Sequence, residues 1–241
     1  MPLFPQNSYI HWLLLDIEGT TTPVDFVYKT LFPFASARVD TFLQAHSEEA
    51  AVRDLIADLR QEHGLENWNR ETREAETASA ASYVRQLIAE DRKVTPLKTL
   101  QGKIWEEGYR GGELQGEVYE DVPRAFERWK REGKRIAIFS SGSVLAQKLL
   151  FGHSNAGDLT KYIEGYFDTT TGPKREAASY KAIGNALAAT NESMLFVSDV
   201  TQELDAARDA GMFTALIVRP GSSHPTDSRH ACIESFDQLL V

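Results

Sequence analysis

The chain has 241 residues, a length that favours one large domain or two small ones. Its 26 Lys and Arg residues against 35 Asp and Glu residues give a formal net charge of −9, so its long-range field repels nucleic acid and anionic membranes. The single cysteine, Cys232, excludes an internal disulfide and favours a reducing compartment, and we expect a buried or inert thiol.

The start of the chain carries no basic region, and its apolar run over residues 12–15 stops at Asp16. That run is too short for a signal peptide or a membrane span. We therefore expect a cytoplasmic protein that binds neither membrane nor nucleic acid, and we also expect a monomer. Because the net charge is negative, any phosphate must be captured by a local site.

The first element in chain order is the apolar run 10–15, which is typical of a strand buried on both faces. From about Phe26 to Gly112 the apolar spacing becomes helical, in a segment that is charged and rich in alanine. The apolar positions with helical spacing are Val52, Leu55, Ile56 and Leu59, then Val84, Leu87 and Ile88, then Leu97, Leu100, Ile104 and Trp105. This stretch predicts an all-helical insertion after the first strand.

Beyond residue 112, strand and helix patterns alternate. The predicted strands are 135–139, 166–167, 194–197 and 215–218, and the predicted helices are 123–132, 144–151, 176–189 and 204–210. Such alternation predicts an α/β fold, a three-layer Rossmann-like parallel sheet with helices on both faces. We assign residues 1–24 and 114–241 to this discontinuous core and residues 25–113 to the inserted helical cap domain.

Polar residues follow two of the predicted strands. Asp16 and Glu18 lie two residues apart after the first strand, and Ser140 and Ser141 follow strand 135–139. Taken singly, an acid after a strand is often a turn or helix cap, and a serine before a helix is usually an N-cap. A serine turn at a helix start can also hold a phosphate.

Two further candidates complete the pattern. Lys174 precedes a predicted helix, and Ser198 and Asp199 directly follow strand 194–197, with Glu203 one turn on. Because ligands of parallel sheets bind at the carboxyl ends of the strands, we expect these groups to meet at one edge. Asp16 and Asp199 offer the hard oxygen ligands that Mg²⁺ prefers, while Lys174 and the serine turn would neutralise phosphoryl charge. The set predicts phosphoryl transfer.

The order and spacing of these residues resemble the haloacid dehalogenase superfamily, which has a cap inserted after the first strand. The resemblance implies that Asp16 is the nucleophile that becomes an aspartyl-phosphate and that Glu18 is the general acid/base. It implies an Mg²⁺ cofactor held by Asp16, Asp199 and the backbone carbonyl of Glu18. It further implies that Ser140 or Ser141 holds the phosphate and that Lys174 bridges nucleophile and phosphate.

Within that superfamily the motifs resemble the acireductone synthase, or enolase-phosphatase, branch of methionine salvage. Glu18 stands where most members have a second Asp, and segments 16–22, 97–105, 139–143 and 151–154 are similar to that branch. The resemblance implies a small-molecule phosphorylated diketone substrate, 2,3-diketo-5-methylthiopentyl-1-phosphate. This substrate is enolised and then dephosphorylated to the acireductone.

On the predicted helix that opens at Thr95, Lys98, Gln101 and Trp105 share a face and could read the methylthio tail of that substrate. A core position is the commoner role for such a tryptophan.

Three other functions stay open at the level of sequence. An ordinary sugar-phosphate phosphatase of the same superfamily would use the same residues. A non-enzymatic phospho-receiver also combines an Asp, a hydroxyl, a Lys and Mg²⁺, but it needs no insertion of about 85 residues. A metal-free dehalogenase has no need of the cation site that Asp199 and Glu203 would offer.

Overall fold

The computed structural model describes residues 9–64, 68–222 and 229–239. Two compact units make up the chain: Met1–Val24 with Gln115–Val241, and Asp25–Leu114. The ends of the predicted core, residues 1–8 and 240–241, lie outside the described residues. No helix within the described ranges is long and apolar enough to cross a membrane.

The first unit is built on a parallel sheet of six strands in the order β3-β2-β1-β4-β5-β6. The central strands are continuous apolar runs because both of their faces are buried. The strands are β1 (Trp12–Leu15), β2 (Arg135–Phe139), β3 (Ile163–Phe167), β4 (Met194–Ser198), β5 (Phe213–Ile217) and β6 (Ala231–Ile233). The predicted parallel α/β fold is confirmed.

The four helices predicted beyond residue 112 are observed within three residues of their expected bounds. In the helical unit the apolar spacing predicted helices without bounds, apart from the helix that opens at Thr95. The helices are α1 (Val24–Phe26), α2 (Phe32–Ala45), α3 (Ala50–His63), α4 (Arg73–Ala89), α5 (Thr95–Arg110), α6 (Asp121–Arg131), α7 (Val144–Gly152), α8 (Ala177–Ala186) and α9 (Thr201–Asp209). A π-helical segment, Val27–Leu31, joins α1 to α2.

The two faces of the sheet carry alternating sets of side chains. Trp12, Leu14 and Phe196 point to the face covered by Ile183 of α8 and Leu204 of α9, where they form one buried cluster. The connections through α8 and α9 run along the sheet toward β6, whereas those through α6 and α7 run toward β3. Because such connections are right-handed, α6 and α7 cover the other face of the sheet. The result is the three-layer arrangement of a doubly wound sheet.

The strand order places β1 between β2 and β4. Leu15 pairs with Ile138 on one side and with Val197 on the other. The chain therefore fills the sheet first toward β3 and then toward β6, and the direction changes beside β1. In open α/β sheets the crevice at such a switch point, at the carboxyl ends of the strands, is where ligands bind.

The second unit consists of packed helices. The predicted apolar face of α3, formed by Val52, Leu55, Ile56 and Leu59, is buried. In α5, Trp105 is buried and donates its indole N–H to the carbonyl of Leu31 at 2.9 Å, which is the core role expected for it. That this unit serves as a cap stays a prediction.

Three expectations on the chain are corrected. The last predicted strand, 215–218, is observed as Phe213–Ile217, and the short strand Ala231–Ile233 beyond it was not predicted. Cys232 lies on that edge strand and is exposed, so of the expected buried or inert thiol the buried alternative is wrong. The helix predicted over 176–189 ends at Ala186.

Candidate active site

Asp16 follows β1 and is the centre of the predicted site. The residue is only 4% exposed, and its two carboxylate oxygens have different partners. Oδ1 accepts from the backbone N–H of Ile17 at 2.8 Å and from Nζ of Lys174 at 2.6 Å. Oδ2 accepts from the hydroxyl of Ser198 at 3.1 Å. The carboxylate is therefore held in one orientation before any ligand binds.

A tight turn follows Asp16. The backbone N–H groups of Thr20, Thr21 and Thr22 all donate to the carbonyl of Ile17, at 3.1, 2.9 and 2.9 Å. Glu18 is half-buried in this turn and pairs through its backbone with Thr22. The structure therefore places Glu18 in the same loop as Asp16, as the spacing predicted.

Lys174 reaches Asp16 from the loop before α8. Its Nζ lies 2.6 Å from Asp16 Oδ1 and 2.6 Å from Glu203 Oε2, and the tyrosine hydroxyl of Tyr180 donates to its carbonyl at 2.7 Å. Burial alone would lower the pKa of Lys174, but the Asp16 and Glu203 carboxylates outweigh it and raise that pKa. Lys174 is therefore a fixed positive charge beside Asp16.

Glu203 on α9 shares this lysine with Asp16. Burial and the negative charge of Asp16 raise the pKa of Glu203 to about 7, against the opposing effect of Lys174. The sequence suggested Glu203 as part of a cation site. In the structure its carboxylate contacts Nζ of Lys174 at 2.6 Å and the hydroxyl of Ser198 at 3.3 Å.

Asp199 follows β4, next to the Asp16 loop. Its backbone N–H donates to Oγ1 of Thr20 at 3.2 Å. Its Oδ1 is buried and has no hydrogen-bond partner among the described residues. Burial and the Asp16 carboxylate raise the pKa of Asp199 to about 6.

These groups fit a divalent cation. With all of them ionised, three carboxylates (Asp16, Asp199 and Glu203) face the single ammonium of Lys174, an excess of two negative charges. A Cβ atom on Gly19, whose φ is +70°, would lie 2.2 Å from Asp199 Oδ2, so the loop leaves space there only for a glycine. No cluster of three or more His, Cys, Asp or Glu with ligand geometry occurs in the described ranges, whereas the predicted set uses two carboxylates and a backbone carbonyl.

The serine loop follows β2 at the same edge of the sheet. Ser140 is buried and accepts from the backbone N–H of Gly142 at 3.1 Å, while Ser141 is half-buried. Gln147 of α7 holds this loop, since its Nε2 donates to the carbonyls of Gly142 and Phe167, each at 2.8 Å. Because β1 and β2 are neighbouring parallel strands, the loop and Asp16 lie at the same edge of the sheet.

Some residues around the site were not assigned from sequence. Ser198 was noted only as the neighbour of Asp199, and the roles of Gln147 and Thr20 were missed. A buried ion pair between Arg219 and Asp121 was also missed. The available signal for Arg219 was its position, because it is a polar residue directly after the apolar run 215–218.

The family model of the haloacid dehalogenase-like hydrolases matches residues 10–211. The chain therefore belongs to the haloacid dehalogenase-like hydrolase family. It is 52% identical to Enolase-phosphatase E1 of Synechococcus elongatus, with 98% of this chain and 100% of the relative covered. It is 47% identical to Enolase-phosphatase E1 of Pseudomonas aeruginosa (95% and 97% covered). These relatives place it with the enolase-phosphatases, and it is a phosphatase enzyme.

The solved structures agree with this grouping. The crystal structure of the UTR4 protein of Saccharomyces cerevisiae is 36% identical, has a TM-score of 0.78, and covers 95% of this chain and 99% of its own. A dehalogenase solved with an intermediate complex has a TM-score of 0.55 at 17% identity, covers 96% of each chain, and shows the shared fold alone.

Proposed function

We propose that this phosphatase converts 2,3-diketo-5-methylthiopentyl-1-phosphate, through an enol phosphate, to acireductone and phosphate in methionine salvage. The observation that carries the proposal is the buried Asp16 carboxylate, held by Lys174 at 2.6 Å beside Asp199. Relatives named Enolase-phosphatase E1 at 52% identity support the choice of substrate.

Once the substrate has been enolised, its dephosphorylation begins on Asp16. One carboxylate oxygen of Asp16 forms a bond to phosphorus while the bond from phosphorus to the enol oxygen breaks, and the enolate leaves as product. Lys174 holds positive charge next to the reacting carboxylate, and Ser140 with Ser141 would hold the phosphoryl oxygens from the neighbouring strand.

The second step releases phosphate. A water attacks phosphorus, the aspartyl-phosphate bond breaks, and Glu18 takes the proton of that water. Because Glu18 is one methylene longer than the usual Asp, it could also serve the enolisation. The helical unit, residues 25–113, would act as the cap that reads the methylthio tail through Lys98 and Gln101.

The site is proposed to require Mg²⁺. Asp16, Asp199 and the backbone carbonyl of Glu18 would hold it, and the unpartnered Oδ1 of Asp199 and the excess negative charge support that assignment. When bound, Mg²⁺ supplies positive charge that withdraws electrons from the phosphoryl group.

The test is turnover of the diketo phosphate, with enol absorbance and phosphate release followed in parallel. We expect enol absorbance to rise no later than free phosphate when Mg²⁺ is present. When a chelator is present, we expect no rise. A general sugar-phosphate phosphatase is the competing function. Phosphate release from sugar phosphates at comparable kcat/KM, with no enol from the diketone, would favour it and contradict the proposal.

A further inference from the structure

Arg219 is a buried arginine two residues beyond the end of β5, at the edge of the sheet that carries Asp16. It is 4% exposed, and its guanidinium makes three hydrogen bonds to residues that the structure describes. Nε and Nη2 both donate to the carbonyl of Thr20, at 2.9 and 2.6 Å, and Nη1 donates to Oδ2 of Asp121 at 2.7 Å. One side chain therefore joins the Asp16 loop to the start of α6.

The guanidinium is fixed on its other sides as well. Its central carbon lies 4.1 Å from the ring centroid of Tyr119 and 4.9 Å from that of Phe236. Asp121 Oδ2 also accepts from the backbone N–H of Phe236 at 2.6 Å and from the hydroxyl of Ser235 at 3.0 Å. These contacts leave the arginine a single orientation toward Thr20.

Thr20 links this arginine to both acids of the site. It lies four residues after Asp16, in the turn closed on the carbonyl of Ile17, and its Oγ1 accepts from the backbone N–H of Asp199 at 3.2 Å. A shift of Thr20 would therefore move the Asp16 loop relative to the segment that carries Asp199.

We propose that Arg219 is a positioning residue for the phosphatase reaction, which holds the Asp16 loop against Asp199 by fixing the carbonyl of Thr20. The proposal rests on the proposed roles of Asp16 and Asp199. Buried ion pairs add little net stability compared with apolar side chains of similar volume, so stability alone gives a weak reason for this one. A planar guanidinium can satisfy a carbonyl and a carboxylate together, whereas a lysine ammonium cannot match that geometry.

The experiment compares Arg219→Lys with Arg128→Lys. Arg128 is a matched control because its Nη2 also donates to two backbone carbonyls of the same unit, those of Phe236 and Leu239, at 2.7 and 3.0 Å. We expect Arg219→Lys to lower kcat for p-nitrophenyl phosphate roughly a hundred-fold, as small misplacements of reacting groups do. KM should change by less than about threefold. Mg²⁺ affinity by calorimetry should fall, and Arg128→Lys should lose thermal stability with kcat and Mg²⁺ affinity unchanged.

Two further variants test whether the contacts of the guanidinium group are what positions the loop. Asp121→Asn keeps the shape of the partner and should lower kcat in the same direction, and added guanidinium ion should restore part of the activity of Arg219→Ala. A folded Arg219→Lys with kcat within about twofold of wild type overturns the proposal. Failure of both Arg219→Lys and Asp121→Asn to fold overturns it as well, because the pair would then serve folding. If Asp16→Asn keeps wild-type activity, it is the assignment of Asp16 that fails.

Discussion

At the scale of single residues, Asp16 is the proposed nucleophile, and its replacement gives a direct prediction. Asp16→Asn keeps the shape of the side chain but removes its nucleophilicity, so phosphate release should fall at least about a thousand-fold. The fold should survive, since Lys174 keeps its ion pair with Glu203 at 2.6 Å and the site loses one unbalanced negative charge. Phosphate release above about one per cent of wild type would contradict the role of Asp16.

A comparison of Gly19 with Gly133 distinguishes the cost of a positive φ from the cost of a steric clash. Gly19 and Gly133 have nearly the same φ, +70° and +73°, so an alanine at either position costs about 1 kcal/mol of backbone strain. Only at Gly19 would the new Cβ meet Asp199 Oδ2, at 2.2 Å, while nothing lies within 4 Å at Gly133.

We therefore expect Gly19→Ala to weaken Mg²⁺ binding about tenfold or more and to lower phosphate release strongly. Gly133→Ala should lose a similar amount of stability and keep both properties. Calorimetry with Mg²⁺ and urea unfolding measure the two effects. Equal Mg²⁺ affinity in the two variants would contradict the idea that the space beside Gly19 lets the Asp199 carboxylate take its place at the proposed cation site.

At the scale of elements, strands with continuous apolar runs could be predicted, and the others could not. The run 135–139 predicted β2 to the residue because its interior is buried on both faces. The strand β3 was predicted only as 166–167, because its first residues, Ile163-Glu164-Gly165, do not form an apolar run. Glu164 in this strand forms ion pairs with Lys130 and Arg135. The three-residue β6 carries too short a pattern to be recognised.

In the helical unit, His46 at the end of α2 contacts Glu49 at the start of α3 and Glu107 of α5. These contacts predict that the stability of this unit depends on pH. Nδ1 lies 2.6 Å from Glu49 Oε1 and Nε2 lies 2.7 Å from Glu107 Oε1. The hydrogen bond to Glu49, with Glu107, raises the pKa of His46 despite partial burial. A histidine whose pKa is raised by folding stabilises the folded state below its unfolded pKa of 6.5, and that contribution is lost as pH rises through the folded value.

His46→Gln should therefore lower the urea midpoint clearly near pH 6 and much less near pH 9, a window set by the raised pKa. His11→Gln, at an exposed histidine, serves as the control and should show no such trend. An equal loss for His46→Gln at both pH values would show that the protonated ring is not what stabilises the helices.

At the scale of the whole molecule, the parallel sheet decides which distant residues meet. Lys174 and Ser198 reach Asp16 from positions 158 and 182 residues away. The sequence predicted that these strand ends converge, because ligands sit at one edge of such a sheet. It did not give the pair of Arg219 and Asp121, because a lone Asp at a helix start and an Arg after a strand both have ordinary local roles.

The proposed mechanism depends most on a covalent intermediate on Asp16 that Glu18 helps to break down, so Glu18→Gln is the variant that tests it most directly. An enolate leaves without needing a proton, whereas the attacking water must lose one, so the variant should form the intermediate from the enolised substrate and break it down slowly. Rapid acid quench in a single turnover, with mass spectrometry of the peptides, should show an early burst of enol product and a phosphoryl group on Asp16, with free phosphate trailing. Phosphate that appears as fast as the enol product, from protein that never carries a phosphoryl group, would contradict the account.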